Sequence, residues 1–492
     1  MKYKMITVSL VLALLVSPSL HNTAQIPFML DEKSEVHDFA KAIFDAPFHT
    51  TVDLRSYQFT AHDSMLFDSI LRMVERDSNM LCLAGGIRDD KERTWSGVAN
   101  GASVTPSSQA TTQHYFGIGS VTKSITAAAI MLLAEDSVLS LEDSLYEWLP
   151  SYPNIDSTIT IRQLLNMTSG IYNFTEHPNY VSTVLSDLSR IWQPEEILQA
   201  FVDTPYFEKG KGWHYSNTNY LLLGLIIEEA SGMPYHVFVR KRIFEPAGLD
   251  AMAIFPYDTP PGPIATIWLD VNNDNIPDDL SLFNYSPNAM FSMAWAAGAC
   301  MATPQLLTDW MFKLVTGQVV TPSSLNEMIS NGIPIGKGVR YGLGLVIVTN
   351  RNGTYIGHGG SILYRTYIYH YVPANVTVST LTSNAHKGDV LPPTYGKLLV
   401  QYLQLPPVTS VYYPSASPTL TYDGVKWTVP ALPNATHLQL FHLPTGRYHG
   451  MYHFSNTTIL RINTQHLPSG MYLLRYTNAQ GQVVEQMRCI KY

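Results

Sequence analysis

Ser120 and Lys123 are the two residues of this chain whose types and spacing point most directly to chemistry. They follow Phe116-Gly117-Ile118-Gly119 and precede an amphipathic run from Ile125 to Leu133, which predicts a helix. Side chains three residues apart share one face of a helix, so the Lys123 amine would reach the Ser120 hydroxyl. A neutral serine needs a base to act as a nucleophile, and burial favours the uncharged, basic form of a lysine. A solvated lysine beside a serine N-cap is the alternative interpretation.

Two later motifs carry groups that such a pair would need. In Tyr215-Ser216-Asn217, the tyrosine would lie near a cationic lysine and the start of a predicted helix, and both favour its phenolate. Asn217 would orient Lys123 or hold the carbonyl side of a substrate. In His358-Gly359-Gly360-Ser361, the glycines would let a substrate backbone lie against a strand edge. The chain contains no Gly-x-Ser-x-Gly, which excludes the nucleophile elbow of a Ser-His-Asp site.

The three motifs also resemble a known family. Together with Leu164-Leu165-x-Met167-Thr168-Ser169-Gly170 and Trp295-Ala296-Ala297-Gly298, they are similar to those of serine hydrolases related to class C β-lactamases. That family includes penicillin-binding proteins, D-specific peptidases and esterases. The resemblance implies a β-lactamase-like fold of the α/β (α+β) class, in which an antiparallel sheet is flanked by helices and joined by a helical subdomain. It also implies that catalysis requires no cofactor.

The same resemblance implies roles for individual residues. Ser120 would be the acylated nucleophile, and Lys123 and Tyr215 would form the general-base pair. The backbone N–H groups of Ser120 and Ser361 would form the oxyanion hole. Which of Lys123 and Tyr215 takes the first proton stays open. The substrate-binding and oxyanion residues implied in this way are Asn217, His358, Gly359, Gly360 and Ser361.

One departure from the family pattern bears on the substrate. Many β-lactamases carry Lys-Thr-Gly where this chain has His358-Gly359-Gly360, and the lysine and threonine help to hold a substrate carboxylate. The histidine form is found in esterase-like and D-aminopeptidase-like members. We therefore expect hydrolysis of carboxyl-ester or peptide/amide bonds. The alternatives are a β-lactamase or D,D-peptidase acting on β-lactams or peptidoglycan peptides, and a catalytically inactive surface binding protein. A purely structural strand histidine is the alternative for His358.

Composition excludes several partners and site types. Hydrophobic residues make up 46% of the chain and charged residues 14%, which is typical of a globular protein. The formal net charge is -8 and no long basic run occurs, so nucleic acid is not an expected partner. Cys82, Cys300 and Cys489 are too few and too widely spaced to predict a disulfide framework or a zinc site.

The N-terminus is expected to be an export signal. Lys2 and Lys4 precede an apolar run from Ile6 to Val16, which is shorter than the ~20 residues that span a bilayer. Residues 1–24 are assigned to this signal, and no transmembrane anchor is expected. The further expected boundaries are a hydrolase domain at 28–405, a proline-rich linker at 406–418 and a small all-β module, a sandwich, at 419–492.

Local patterns predict several individual elements. A helix is expected over residues 216–232, with Ser216 or Asn217 as its cap and Gly232 at its end. Asn350-Arg351-Asn352-Gly353 is typical of a hairpin turn. The predicted strands are 81–86, 346–349, 354–356, 364–371, 438–443, 459–462, 471–476 and 483–490.

The C-terminal module resembles the β-sandwich sorting domain of type IX secretion in Gram-negative bacteria. The similarity rests on Leu438-Gln439-Leu440-Phe441-His442-Leu443, on Leu467-Pro468-x-Gly470-Met471-Tyr472 and on the terminal Ile490-Lys491. It implies the type IX machinery as a partner and a secreted or outer-membrane cell-surface location. A binding or spacer sandwich is the alternative, and it would leave the exported protein periplasmic.

The acidic segment from Asp270 to Asp279 is similar to a calcium-binding loop. Oxygen ligands recur at positions 1, 3, 5 and 9, although Ser281 stands where such loops place a bidentate glutamate. A surface loop of Asx-turns is the alternative. The candidate ligands of a structural calcium ion are Asp270, Asn272, Asp274 and Asp278.

Overall fold

The computed structural model describes most of the chain between residues 59 and 491. The described residues are 59–271, 274, 276–283, 285–405, 421–422, 426–430, 436–442, 447–453, 459–463, 465–467, 470–479 and 483–491. The expected signal at 1–24 and linker at 406–418 lie outside them. The chain divides into two compact units, Met1–Pro407 and Val408–Tyr492, and each is described by itself.

An eight-stranded antiparallel sheet forms the centre of the first unit. Its strand order is β2-β1-β13-β12-β11-β10-β9-β8. The aromatic and β-branched run Tyr364–Tyr371 is strand β12, as predicted, and the hairpin signal joins β10 to β11 with Asn350 opposite Gly353. The strands of this unit are β1 Cys82–Asp89, β2 Thr94–Asn100, β3 Phe116–Gly117, β4 Ala253–Ile254, β5 Trp268–Leu269, β6 Asp278–Asp279, β7 Cys300–Ala302, β8 Ile333–Gly336, β9 Val339–Tyr341, β10 Val346–Asn350, β11 Gly353–Ile362, β12 Tyr364–Tyr371 and β13 Val376–Thr382.

Helices flank this sheet and also form a layer of their own. Helices α1, α10 and α12 pack on the sheet, whereas α2, α7 and α9 pack against one another. The predicted fold class is therefore confirmed. The helices are α1 Ala61–Ser78, α2 Thr122–Glu135, α3 Leu145–Trp148, α4 Ile161–Leu165, α5 Tyr180–Ser186, α6 Pro194–Phe201, α7 Asn217–Ser231, α8 Tyr235–Val239, α9 Asn288–Gly298, α10 Pro304–Val315, α11 Pro322–Ser330 and α12 Leu391–Gln404. None of the helices in the described part of the chain is both long and apolar enough to cross a bilayer.

The helix that carries Lys123 differs from its prediction. Helix α2 is buried on nearly all sides, so the expected amphipathic pattern is wrong. Its polar side chains find partners inside the protein. The indole N–H of Trp310 donates to Ser124 Oγ at 2.9 Å, and Thr126 Oγ1 donates to Ala296 O at 2.6 Å. A helix whose serine and threonine hydroxyls are bonded in this way needs no solvent-facing side.

The second unit contains two antiparallel sheets, of order β14-β15-β18 and β17-β16-β19-β20. Leu438 and Leu440 of the larger sheet and Ile462 of the smaller sheet are buried. The four strands predicted here are present, and three further strands were missed because they are very short or contain proline or glycine. The strands are β14 Thr421–Tyr422, β15 Lys426–Pro430, β16 His437–His442, β17 Arg447–His453, β18 Ile459–Asn463, β19 Gly470–Thr477 and β20 Val483–Lys491.

In the acidic loop between β5 and β6, carboxylates accept hydrogen bonds from backbone N–H groups of the same loop. Asp270 Oδ1 accepts from the backbone N–H of Asp274 at 3.2 Å, and Asp274 Oδ1 accepts from that of Ile276 at 2.8 Å. Asp278 Oδ2 accepts from the N–H of Val271 at 3.2 Å. These contacts are typical of the Asx-turn alternative. The fourth candidate ligand, residue 272, lies outside the described residues, which contain no cluster of three or more His, Cys, Asp or Glu side chains suited to a metal ion.

A buried ion pair between Asp89 and Arg93 connects strand β1 to helix α12 through Tyr402. Asp89 is 0% exposed and Arg93 1%. Arg93 Nε donates to Asp89 Oδ2 at 2.6 Å, and the Tyr402 hydroxyl donates to the same oxygen at 3.1 Å. The guanidinium also lies 4.7 Å from the ring centroid of Phe59. Breaking one side of such a pair leaves an uncompensated buried charge.

We predict that Asp89→Asn destabilises the protein by about 3–5 kcal/mol, because Arg93 keeps its charge without a buried counter-ion. Thermal unfolding and the urea midpoint would measure the loss. The matched control is Asp77→Asn, which breaks the exposed Arg76–Asp77 pair and is expected to leave the melting temperature unchanged. An equally small effect of both variants would contradict a structural role for the buried pair.

Candidate active site

Ser120 and Lys123 meet where a short 3-10 turn enters helix α2. Ser120 lies in the turn Gly119–Val121, and Lys123 is the second residue of the helix. Lys123 Nζ lies 3.0 Å from Ser120 Oγ, within hydrogen-bond distance. Lys123 is 0% exposed and Ser120 5%, so the alternative of a solvated lysine does not hold.

Two further acceptors surround the lysine. Nζ of Lys123 donates to Asn217 Oδ1 at 2.6 Å and to Ala297 O at 2.9 Å. With Ser120 Oγ they make three acceptors, which match the three N–H donors of an ammonium. A neutral amine keeps two N–H groups and one lone pair. If these two N–H groups donate to Asn217 and Ala297, the lone pair points toward Ser120. The same geometry therefore accommodates both the charged lysine and the neutral, basic lysine.

The carbonyl of Ala297 reaches the lysine because the backbone breaks its helical path at Trp295. Trp295 has φ 36° and ψ -119° within α9, in a region that non-glycine residues rarely adopt. The next two carbonyls turn toward α2, where Ala296 O accepts from Thr126 and Ala297 O from Lys123. The Trp-Ala-Ala-Gly motif thus contributes to the site through its backbone.

Aromatic rings enclose the remaining sides of the lysine. Nζ of Lys123 lies 4.7 Å from the ring centroid of Tyr215 and 5.6 Å from that of Tyr220, at distances typical of cation–π contacts. The ring of Tyr215 also lies 6.0 Å from Tyr341 and 6.2 Å from His358, and the last two rings are 5.9 Å apart. The motif residues Tyr215 and His358 are therefore neighbours, although they are 143 positions apart in the sequence (358 minus 215).

Two glycines bring strand β11 against the turn that holds Ser120. Gly119 has φ +50°, and a Cβ on it would lie 2.4 Å from Ser361 N. A Cβ on Gly360 would lie 2.0 Å from Ile118 O and 3.3 Å from Ser120 N. The backbones of Ser120 and Ser361, the two expected oxyanion donors, are thereby brought together. At Gly360 the expectation that the missing side chain makes room for substrate is wrong, because the carbonyl of Ile118 fills that space.

The strand edge expected beside His358 is present. Strand β11 pairs with β12 as far as Ile362, but its pairing with β10 ends at Gly357. From His358 to Ile362, no described strand pairs on the β10 side. Gly359 lies within this segment, and its carbonyl accepts from His358.

The hydrogen bonds of His358 define its tautomer and its charge. Nδ1 lies 2.5 Å from Gly359 O and donates to it, so Nε2 is the acceptor and faces the Tyr341 hydroxyl at 3.3 Å. Burial, together with the charge of Lys123, lowers the pKa of His358 from 6.5 to about 3. The imidazole is therefore neutral near neutral pH, and it does not supply a cation in the place of the lysine of Lys-Thr-Gly.

Sequence reasoning missed several groups that hold the motif residues. Asn173 Oδ1 accepts from the backbone N–H of Asn217 at 3.0 Å, and Thr175 Oγ1 accepts from Asn217 Nδ2 at 3.3 Å. The Tyr341 hydroxyl contacts His358, and Ala297 acts through its carbonyl. These residues form no recognisable spacing, and only the Trp-Ala-Ala-Gly motif carried a signal for one of them.

Comparison with known proteins found a matching family model and similar relatives. The family model described as Beta-lactamase matches residues 68–401. Penicillin-binding protein 4* of Bacillus subtilis is 29% identical over 306 residues, which cover 57% of this chain and 63% of that protein. The match thus spans less than two thirds of that relative.

Solved structures have the same fold. The D-stereospecific amidohydrolase from Streptomyces sp. matches with a TM-score of 0.59 and 25% identity, over 69% of this chain and 98% of that one. The D-amino acid amidase from Ochrobactrum anthropi SV3 matches with a TM-score of 0.59 and 22% identity, over 70% and 99% of the two chains. The second likeness concerns the fold alone.

We predict that His358 makes the protein less stable in mild acid. Between pH 6.5 and about 3 the unfolded state binds a proton that the folded state excludes, so stability falls as pH falls through this window. One such proton corresponds to a slope of about 1.4 kcal/mol per pH unit. In His358→Gln, the slope of the unfolding free energy against pH, measured between pH 6 and 4, should decrease by up to this amount.

The matched control is His62→Gln, which shows how much the loss of an exposed histidine alone changes the slope. The NMR shift of the His358 ring C–H, followed in the native protein from pH 7 to pH 5, gives a second measurement. A titration of that signal with a midpoint near 6.5 would contradict the buried neutral imidazole.

Proposed function

Because the chain belongs to the beta-lactamase family of serine hydrolases, we propose that it cleaves carboxyl-ester or amide bonds through an acyl-enzyme on Ser120. The observation that carries the proposal is the 3.0 Å contact between Ser120 Oγ and Lys123 Nζ in a buried centre. Asn217 and Ala297 orient the amine, and Tyr215 covers it. A solvated surface pair would need none of these supports.

In the proposed acylation, Ser120 Oγ attacks the substrate carbonyl carbon and its proton passes to the base formed by Lys123 and Tyr215. The backbone N–H groups of Ser120 and Ser361 stabilise the oxyanion of the tetrahedral intermediate. When the intermediate collapses, the bond to the leaving oxygen or nitrogen breaks. The base returns its proton to that atom, and the acyl group stays on the serine as an ester.

Deacylation reverses these roles with water as the nucleophile. The base takes a proton from water as its oxygen attacks the ester carbonyl, and the Ser120 alkoxide leaves with that proton. The products are a carboxylic acid and the free enzyme. Every proton is accounted for by the serine, the base, water and the leaving group, so the cycle requires no additional reactant.

The charge of the site supports a substrate without a carboxylate beside β11. His358 stands where many β-lactamases carry a lysine, and its neutral imidazole gives a substrate carboxylate no counter-ion. Similarity to the D-stereospecific amidohydrolase supports amides of D-amino acids as a substrate class. Similarity to penicillin-binding protein 4* supports the second candidate, a D,D-peptidase or β-lactam-reactive enzyme.

We predict that Ser120→Ala abolishes turnover, and that Lys123→Ala and Tyr215→Phe each reduce it at least ~100-fold, as loss of general-base catalysis does. Rates would be measured with short-chain chromogenic esters, D-amino-acid amides, D-Ala-D-Ala peptides and a chromogenic cephalosporin. Esters and D-amino-acid amides should be the faster substrates.

The matched control is Ser124→Ala, one helical turn further along α2. Ser124 is buried and bonded to Trp310, so its loss should lower stability but leave Ser120 reactive. Labelling with a fluorophosphonate, located by mass spectrometry, tests the nucleophile directly. Full activity of Ser120→Ala would refute the proposed role, and no adduct on Ser120 would favour the binding-protein alternative.

We also propose that the second unit directs export, in line with its resemblance to type IX sorting domains. The division of the chain between Pro407 and Val408 supports a separable module. Its two antiparallel sheets, with buried residues from both, agree with the expected sandwich.

We predict that a chain truncated after Pro407 keeps its hydrolase activity but accumulates inside the outer membrane, because the signal for the second export step is gone. Fractionation of the producing cells, with activity measured in each fraction, tests this. The control is the full-length Ser120→Ala variant, which should be exported normally. Normal surface delivery of the truncated chain would exclude a sorting role.

A further inference from the structure

Helix α2 contacts the backbone at the end of α9 through two side chains that are three residues apart. Lys123 Nζ donates to Ala297 O at 2.9 Å, and Thr126 Oγ1 donates to Ala296 O at 2.6 Å. Both side chains are 0% exposed, and their spacing places them on one face of the helix. Two consecutive carbonyls are therefore held by one face of α2, and only one of the two contacts involves the charge of the lysine.

The hydrogen atoms in the contacts of Thr126 can be assigned from chemistry. Thr126 Oγ1 lies 2.6 Å from Ala296 O and 2.7 Å from the Tyr235 hydroxyl, whereas Thr122 O is more distant at 3.4 Å. A carbonyl can only accept, so the single hydroxyl hydrogen of Thr126 lies between it and Ala296. The Tyr235 hydroxyl must then donate to Thr126. Burial raises the pKa of this tyrosine, so it keeps the hydrogen that it donates.

The carbonyl that Thr126 binds belongs to the strained turn of α9. Trp295, the residue before Ala296, has φ 36° and ψ -119°. In a regular helix both carbonyls would point along the helix axis, and neither would face α2. The ring of Tyr235 packs 5.3 Å from that of Trp295, on the same turn. A donor fixed at Ala296 O therefore holds this turn, and with it the Ala297 carbonyl, against α2.

We propose that Thr126 is a positioning residue, whose hydroxyl holds the turn after Trp295 so that Ala297 O stays bonded to Lys123 in both charge states of the amine. The inference rests on the proposed function, since it concerns the base that activates Ser120. Thr126 touches none of the reacting atoms and acts through the backbone of the turn.

The need for such a residue follows from the change in charge at the lysine. Hydrogen bonds of a charged donor are roughly twice as strong as those of a neutral one, so the bond from Lys123 to Ala297 weakens when the amine is neutral. The bond from Thr126 involves no charge and keeps its strength. Ala297 therefore still accepts one N–H of the neutral amine, which leaves the lone pair directed at Ser120.

The test compares Thr126→Val, which replaces the hydroxyl by a methyl group, with Thr126→Ser, which retains the donor. We expect Thr126→Val to lower kcat and kcat/KM for a chromogenic ester equally, by about 10-fold, the scale of one hydrogen bond. The rate at which a fluorophosphonate labels Ser120 should fall by a similar factor, because it depends on the same activation of the serine. Thr126→Ser should restore both rates.

A double variant separates positioning from stability. Thr126→Val also removes the acceptor of the buried Tyr235 hydroxyl, which lowers the melting temperature. In Thr126→Val/Tyr235→Phe both polar groups are gone, so the melting temperature should recover in part while the rate stays about 10-fold low. The matched control is Ser124→Ala, which removes another buried hydroxyl of α2 and should lower the stability without lowering the rate.

The outcomes separate this inference from the proposed function. If fluorophosphonate does not label Ser120 in the wild type, the proposed function fails. If the wild type is labelled and Thr126→Val has the wild-type rates, the positioning role is overturned. It is also overturned if Thr126→Ser is as slow as Thr126→Val, or if the double variant regains the wild-type rate together with its stability. Should Thr126→Val not fold, the double variant is compared with Tyr235→Phe, and equal rates would overturn the role.

Discussion

A lysine amine that is removed from water constrains the rest of this structure. Moving an ammonium into a protein interior costs several kcal/mol unless hydrogen-bond acceptors and favourable electrostatics replace its hydration. At Lys123 the replacements are Ser120 Oγ, Asn217 Oδ1 and Ala297 O, together with the faces of two tyrosines. They come from three separate segments of the chain. The fold must therefore hold the start of α2, the start of α7 and the end of α9 within a few ångströms of one atom.

That requirement explains features that do no chemistry themselves. Trp295 adopts φ 36° within α9, a conformation that costs of order 1–3 kcal/mol, and it persists because the turn supplies two carbonyls to α2. Its ring packs where α7 has Gly224, and a Cβ there would lie 2.6 Å from the indole. The small residue in α7 thus permits the close approach of the two helices. The strained backbone of Trp295 and the absence of a side chain at Gly224 together position the Ala297 carbonyl as an acceptor for Lys123.

The sequence predicts those parts of the site that depend on local spacing. Ser120 and Lys123 are three residues apart, and helix geometry alone brings them together. Strand β12 and the hairpin before it follow from residue types that favour strands and turns. Ala297 and Thr175 could not be found in this way, because one acts through its backbone and the other makes its contact across the fold. The expected amphipathicity of α2 failed for a related reason, since its hydroxyls are satisfied by Trp310 and a carbonyl of α9.

The buried lysine also sets the charge of the neighbouring strand. Its positive charge adds to burial in holding His358 neutral, so a second cation beside it is disfavoured at the position where many β-lactamases place one. A substrate carboxylate at that position would lose its hydration without gaining a partner from β11. An ester or amide whose acyl part carries no carboxylate avoids this loss and presents to Ser120 only the carbonyl that reacts. The proposed preference for such substrates follows from the same electrostatics that keep the lysine in place.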